Sequence, residues 1–162
     1  MSNPTQQPSA DVPGQEQELQ LFLDEIFQLD QADPERGTAF ECYRRLQQRR
    51  ADFIESALED AYWNAISLEA FHIAQIEASE GNTAEALRYG DIALRAARKT
   101  ARLYAQSDWI PYLEATRAYF LVDLHRLQEL IAQCGKNRGV VKNLLTGLQE
   151  RGTPEYRIDY RR

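Results

Sequence analysis

The chain has 162 residues, enough for one domain with a substantial core. Apolar residues make up 43% and the net charge is −6, a composition that folds and that argues against a dedicated nucleic-acid binder, which carries a basic footprint. No uncharged run approaches the roughly 18 residues of a membrane span, and no basic stretch precedes an apolar one as in a secretory signal, so a cytoplasmic protein without membrane contact is expected.

Residues 1–14 (MSNPTQQPSADVPG) hold three prolines and few apolar side chains, so a disordered leader is expected. Leu19, Phe22, Leu23, Ile26 and Phe27 then fall at helical spacing and predict a helix over 15–29. Asp33-Pro34-Glu35 reads as a restart: a cap, a first-position proline and an acid in the first turn. No strong breaker follows Gly37 until Gly81. One helix over 34–80 would be about 70 Å long at 1.5 Å per residue. A compact domain of this size has a radius of gyration of about 15 Å. A break is therefore expected, with Asp52 and Glu55 as a capping-box-like candidate and the segment before Ser67 as another. A single long helix in an elongated molecule is the alternative. Phe53, Ile54, Ala57, Leu58, Ala61, Tyr62 and Ala65 mark a buried face, and Arg44-Arg45 and Arg49-Arg50 fall on the exposed side.

Gly81-Asn82 is the strongest break in the middle of the chain. Glycine closes a helix in the left-handed conformation, and Asn82 or Thr83 can cap the next one, with Glu85 in its first turn. At about 100° per residue, Ala86, Gly90, Ala93, Ala97 and Ala101 form one stripe of small side chains. Leu87, Tyr89, Leu94, Ala96 and Tyr104 border it; Arg88, Asp91, Arg95, Arg98, Lys99 and Arg102 fall opposite. Such a seam lets a neighbouring helix approach toward the short end of the roughly 8–10 Å range. Close packing is the expected reason for Gly90, which costs about 1 kcal/mol of helix propensity against Ala.

Ser67 to about Lys99 resembles one tetratricopeptide repeat, a helix-turn-helix unit of about 34 residues. Ala74, Gly81, Ala86, Leu87, Ala93 and Leu94 carry the match. Glu77 stands where the family has an aromatic, Gly90 where it has a large apolar residue, and no proline closes the unit near Lys99. The resemblance implies antiparallel helix pairs and a partner-binding groove on the first helix, here Leu68, Phe71, Gln75 and Ala78. Phe71 would be the anchor, since buried aromatics dominate binding energy; core packing of Leu68 and Phe71 is the alternative. The charged clamp that some members use for peptide carboxylates is absent from that face.

Ser107 to Pro111 interrupts the register and opens a helix expected to run to about Cys134, with Leu113, Phe120, Leu124, Leu127, Ile131 and Cys134 on one face. Gly135 to Gly139 ends it. Val140, Val141, Leu144, Leu145 and Leu148 predict a last helix stopped near Gly152. The basic tail 153–162 alternates like a strand, and an extended segment pinned by Tyr156, Ile158 and Tyr160 is expected. Residues 1–34 carry seven acids and no base, whereas 135–162 carry seven bases and three acids, so the ends can pair or simply be solvated.

Arg95, Arg98, Lys99 and Arg102 form a possible basic surface, with solvation opposite the small-residue seam as the plainer reading. Glu69 and His72 make an E-x-x-H, the spacing of carboxylate-bridged di-iron helices, but that chemistry needs a second pair, and His125 has Val122 three residues before it. No metal site is expected, and His72 is read as packed at a helix contact. Cys42 and Cys134, far apart in sequence, are expected as reduced, partly buried thiols. Phosphate loops, dinucleotide fingerprints and zinc-type cysteine spacing are absent, so no catalytic residue and no cofactor are assigned. These readings combine into an all-α chain of about five to seven helices in antiparallel pairs, a tetratricopeptide-like repeat or bundle over 15–152. The function expected of it is non-enzymatic: a scaffold for a protein or peptide partner. A bundle acting through homo-oligomeric assembly and a regulator touching nucleic acid through the basic face are the alternatives.

Overall fold

Helical periodicity governs the described residues. The computed structural model describes residues 12–32, 37–104 and 107–162. It is 83% helical, with no strand among the described residues. Of the expected features, residues 1–11 of the leader expected over 1–14 and the Asp33-Pro34-Glu35 restart lie outside the described residues, while 12–14 are helical.

Helix α1 (Val12–Ala32) starts earlier than the expected residue 15. It buries Leu19, Leu23 and Ile26, whereas Phe27, assigned to the same face, is exposed. Helix α2 (Thr38–Gln48) runs back along α1 and buries Ala39, Cys42 and Leu46. Arg45 and Arg49 are not simply solvated: each sits over the Phe22 ring and pairs with an α1 acid, Glu25 at 2.9 Å and Glu18 at 3.1 Å. The acidic N-terminal helix is thus met by α2, while Arg162 of the basic tail meets Glu150.

The expected break in 34–80 falls at residues 54–58, between the single turn α3 (Arg50–Phe53) and α4 (Glu59–Ser79). Its chemistry differs from a capping box. Asp52 pairs with Arg49, Glu55 takes a left-handed φ of 66°, and Ser56 Oγ accepts the Leu58 N–H while donating to the Phe53 carbonyl. Gly81, at φ 85°, turns the chain into α5 (Thr83–Lys99), which runs antiparallel to α4. Ala86, Ala93 and Ala97 are fully buried along this contact, where Ser67 Oγ donates to the Ala93 carbonyl at 2.9 Å. The stripe ends there. Ala101 is exposed in a 3₁₀ turn (Ala101–Tyr104), and a Cβ added at Gly90 would meet nothing within 4 Å. Close packing therefore does not explain Gly90.

The helix expected from Ser107 to Cys134 is two helices, α6 (Trp109–Phe120) and α7 (Leu124–Leu130). Val122 takes φ 57° between them; its N–H bonds the Tyr119 carbonyl and the Asp123 N–H bonds that of Ala118. This is the αL helix stop that glycine usually makes. Asp123 then caps α7, accepting from the Arg126 N–H at 3.0 Å. Two 3₁₀ turns lead into α8 (Arg138–Arg151), stopped at Gly152 with φ 78° as expected. The tail is not extended: Tyr156–Asp159 form a helical turn, α9, that buries Tyr156 and Asp159 and leaves Ile158 exposed.

The packing yields two cores. One joins α1, α2, α3, the start of α4 and Ala96 of α5 around Leu23, Phe53, Tyr62 and Ile66. The other joins the rest of α4 with α5 to α9 around Phe71, Tyr112, Tyr119, Leu144 and Tyr156. Each holds one buried free cysteine, Cys42 or Cys134. Burial above all pushes the Cys42 thiol up to about 12 and that of Cys134 to about 11, so neither supplies a thiolate near neutral pH.

Candidate functional site

The groove assigned from the resemblance is filled by the protein itself. Phe71 is 4% exposed and packs edge-on against Trp109 and Tyr112, each at 5.3 Å between ring centroids. Ala78 is buried, Leu68 is half-buried, and Gln75 donates to the Tyr156 hydroxyl at 2.9 Å. Helices α6 and α9 return over α4 and take the place a partner would need. Phe71 is a core residue, the alternative held open beside its reading as an anchor.

The possible basic surface divides. Lys99 lies 4.5 Å above the Trp63 ring and Arg102 pairs with Asp60. Arg95 and Arg98 instead line an open cleft of about 560 Å³ between α5 and α6. Arg88, Arg117 and Arg126 complete its cationic lining, against Asp91, Glu114 and Asp123, over Leu94, Ala118 and Leu121. Arg117 meets Asp91 at 2.7 Å, and Glu114 accepts from both Arg98 at 3.0 Å and Arg126 at 2.9 Å. Such half-exposed pairs contribute at most about 1 kcal/mol each, so they rearrange at little cost. Exposed Arg95 has no ion-pair partner among the described residues. Leu121, Val122 and Leu124 form an exposed apolar lip at the α6–α7 turn.

A second constellation lies between α1 and α4. Glu69 and His72 are one turn apart on the same face of α4, and α1 brings Asp30 against them. His72 Nδ1 is 2.9 Å from Asp30 Oδ1 and 4.0 Å from Glu69 Oε2. Asp30 and Glu69 are buried, and Glu69 Oε2 has no hydrogen-bond partner among the described residues. An unmade bond of this kind costs about 1–3 kcal/mol. Burial first, then the charge of Asp30, pushes the Glu69 carboxyl up to about 9. Burial opposes the charge on Asp30 as well, but the hydrogen bond and charge of His72, with a hydrogen bond from Glu69, outweigh it and hold Asp30 below the usual carboxylate range. His72 does sit at a helix contact, as expected.

No family model, curated protein or solved structure matches this chain.

Several members of both constellations escape a reading of the sequence. Asp30 lies 42 residues from His72, and nothing in its local pattern marks it. Glu114, Arg117 and Arg126 read as ordinary polar positions. The capping signal at Asp123, followed by a basic turn, is the one local sign of the cleft's end. No helix among the described residues is long and apolar enough to cross a membrane.

Proposed function

We propose that the protein is a non-enzymatic interaction module, a scaffold or adaptor that takes an acidic, amphipathic segment of a partner protein into the α5–α6 cleft. The observation that carries this reading is the cleft lining: five arginines against three acids on a protein whose net charge is −6. Guanidinium forks match carboxylates in a bidentate manner, and their local excess steers an acidic segment to this face. The lip supports the same reading. A β-branched residue in the left-handed region, such as Val122, costs on the order of 1–3 kcal/mol. Strain held at an exposed apolar turn beside the cleft suits a contact surface better than a solvated end. On this proposal the α4–α5 hairpin remains tetratricopeptide-like in kind, with the partner moved to the outer face of α5 because α6 and α9 cover α4.

The test is selection of phage-displayed random peptides on the immobilised protein, followed by fluorescence titration of the winners. Acidic peptides with apolar residues are expected to be enriched and to bind more weakly as salt rises. Reversing charge with Arg95→Glu and Arg98→Glu together is expected to weaken them at least about tenfold, which corresponds to about 1.4 kcal/mol. Absence of enrichment, or binding indifferent to both substitutions, removes the proposal.

A further inference from the structure

Folding buries Glu69 with one oxygen that has no hydrogen-bond partner among the described residues, and it places that oxygen beside a second buried acid and a histidine. We infer that Asp30, Glu69 and His72 bind one divalent first-row transition ion, of the Zn²⁺, Fe²⁺ or Mn²⁺ type, through two carboxylate oxygens and one imidazole nitrogen. The site is distinct from the peptide cleft and does not depend on it.

Geometry is the first argument. The three donor atoms lie within 4.8 Å of one another. Ligands at about 2.0–2.2 Å from a zinc-like ion stand roughly 3 Å apart when adjacent. The 2.9 Å between Asp30 Oδ1 and His72 Nδ1 is a hydrogen bond in the free protein, and it is close to that spacing once its proton leaves to solvent on ion binding. Glu69 Oε2, 4.0 Å from Nδ1, needs to close by about 1 Å, a small χ adjustment on a helix that already aims it inward.

Charge is the second. Two carboxylates side by side in a buried site cannot both ionise without repulsion, and a dication in place of the proton neutralises both while supplying the partner that Glu69 Oε2 lacks. The imidazole selects the class of ion: Ca²⁺ and Mg²⁺ take oxygen ligands, whereas mixed nitrogen and oxygen donors suit borderline first-row ions.

Access is the third. His72 is 25% exposed and also lines a cleft of about 550 Å³ with Gln75, Tyr156 and Tyr160, so an ion has a route from solvent. Three protein ligands leave positions for water, as in sites that exchange ligands rather than purely structural ones.

The experiment is calorimetric titration of chelator-treated, full-length protein with Zn²⁺ and, separately, Mn²⁺. Saturation at one ion per chain is expected, unaffected by excess Ca²⁺. Glu69→Gln and His72→Ala are each expected to weaken affinity by more than the roughly 10–100-fold that losing an outer-shell partner costs. His125→Ala, which removes the exposed histidine paired with Glu129, is expected to change nothing. Arg95→Glu is likewise expected to leave ion binding intact, which separates this site from the cleft. X-ray absorption of the zinc form is expected to show one imidazole among oxygen ligands. His72→Ala, at a partly exposed position, keeps the test open if Glu69→Gln fails to fold. Absence of saturable binding, binding that survives both variants, or binding lost with His125→Ala overturns the inference.

Discussion

Two buried carboxylates show how differently this chain treats the same problem. Asp159, on α9, is fully buried and its Oδ1 lacks a hydrogen-bond partner among the described residues, yet Tyr119 donates to Oδ2 at 2.7 Å, Arg151 pairs with the same oxygen, and Arg162 Nε brings a cation to 3.4 Å from Oδ1. Glu69, on α4, is as deeply buried but faces another acid and a histidine, with Oε2 unpartnered. The first carboxylate is matched by counter-charges from its own sequence neighbourhood and closes the fold. The second has no guanidinium beside it: only His72 at 4.0 Å, a proton or an external cation can neutralise it. Burial by itself therefore says little about role; what surrounds the acid decides whether it finishes the structure or waits for something.

The most severe way to break the closed site is through Gly147. A Cβ there would overlap the Asp159 carboxylate. Gly147→Ala is expected to eject Asp159 and detach α9, leaving Arg151 without its partner and costing about 3–5 kcal/mol. Urea unfolding measures the loss, and amide exchange over residues 153–162 locates it. A loss under about 1 kcal/mol, within the range of an ordinary surface substitution, means that α9 contributes nothing to closing the core.

The same amide swap at both acids sharpens the contrast. Asp159→Asn removes the charge that Arg151 and Arg162 share and is expected to cost about 2–4 kcal/mol. Glu69→Gln, measured in chelator, keeps a donor toward Asp30 and removes no ion pair, so a change under about 1 kcal/mol is expected. Equal losses in urea unfolding would place both acids in one structural class and undercut the distinction.

Much of the fold is readable locally, because helices are decided by spacing and caps. Leu19, Leu23 and Ile26, the left-handed Gly81 and Gly152, and the face shared by Glu69 and His72 all follow from periods of three and four. What was not legible is long-range. Asp30 reaches Glu69 only because α1 and α4 pack together. Phe71 reads equally as anchor or core until α6 brings Trp109 and Tyr112 onto it. The tail alternates at Tyr156, Ile158 and Tyr160, a strand-like signal, but burial of Tyr156 and Asp159 on one face of a single helical turn overrides a preference of so few residues. The α6–α7 break was missed because Val122 occupies a conformation that a β-branched residue ordinarily avoids.

At the helix that both halves share, a gain in stability is expected rather than a loss. Helix α5 gives Ala96 to one core and Ala86, Ala93 and Ala97 to the other. Gly90 lies among them without a neighbour within reach of a Cβ. Its cost in propensity is therefore not repaid by contact, and Gly90→Ala is expected to raise stability by about 1 kcal/mol. Urea midpoints at unchanged slope measure it. Because neither acid site nor the cleft lining includes residue 90, ion and peptide affinities are expected to stay as they are. A loss of stability instead would mean that the small-residue seam continues through Gly90 after all, and that the two cores are pressed more tightly against α5 than the open space around it indicates.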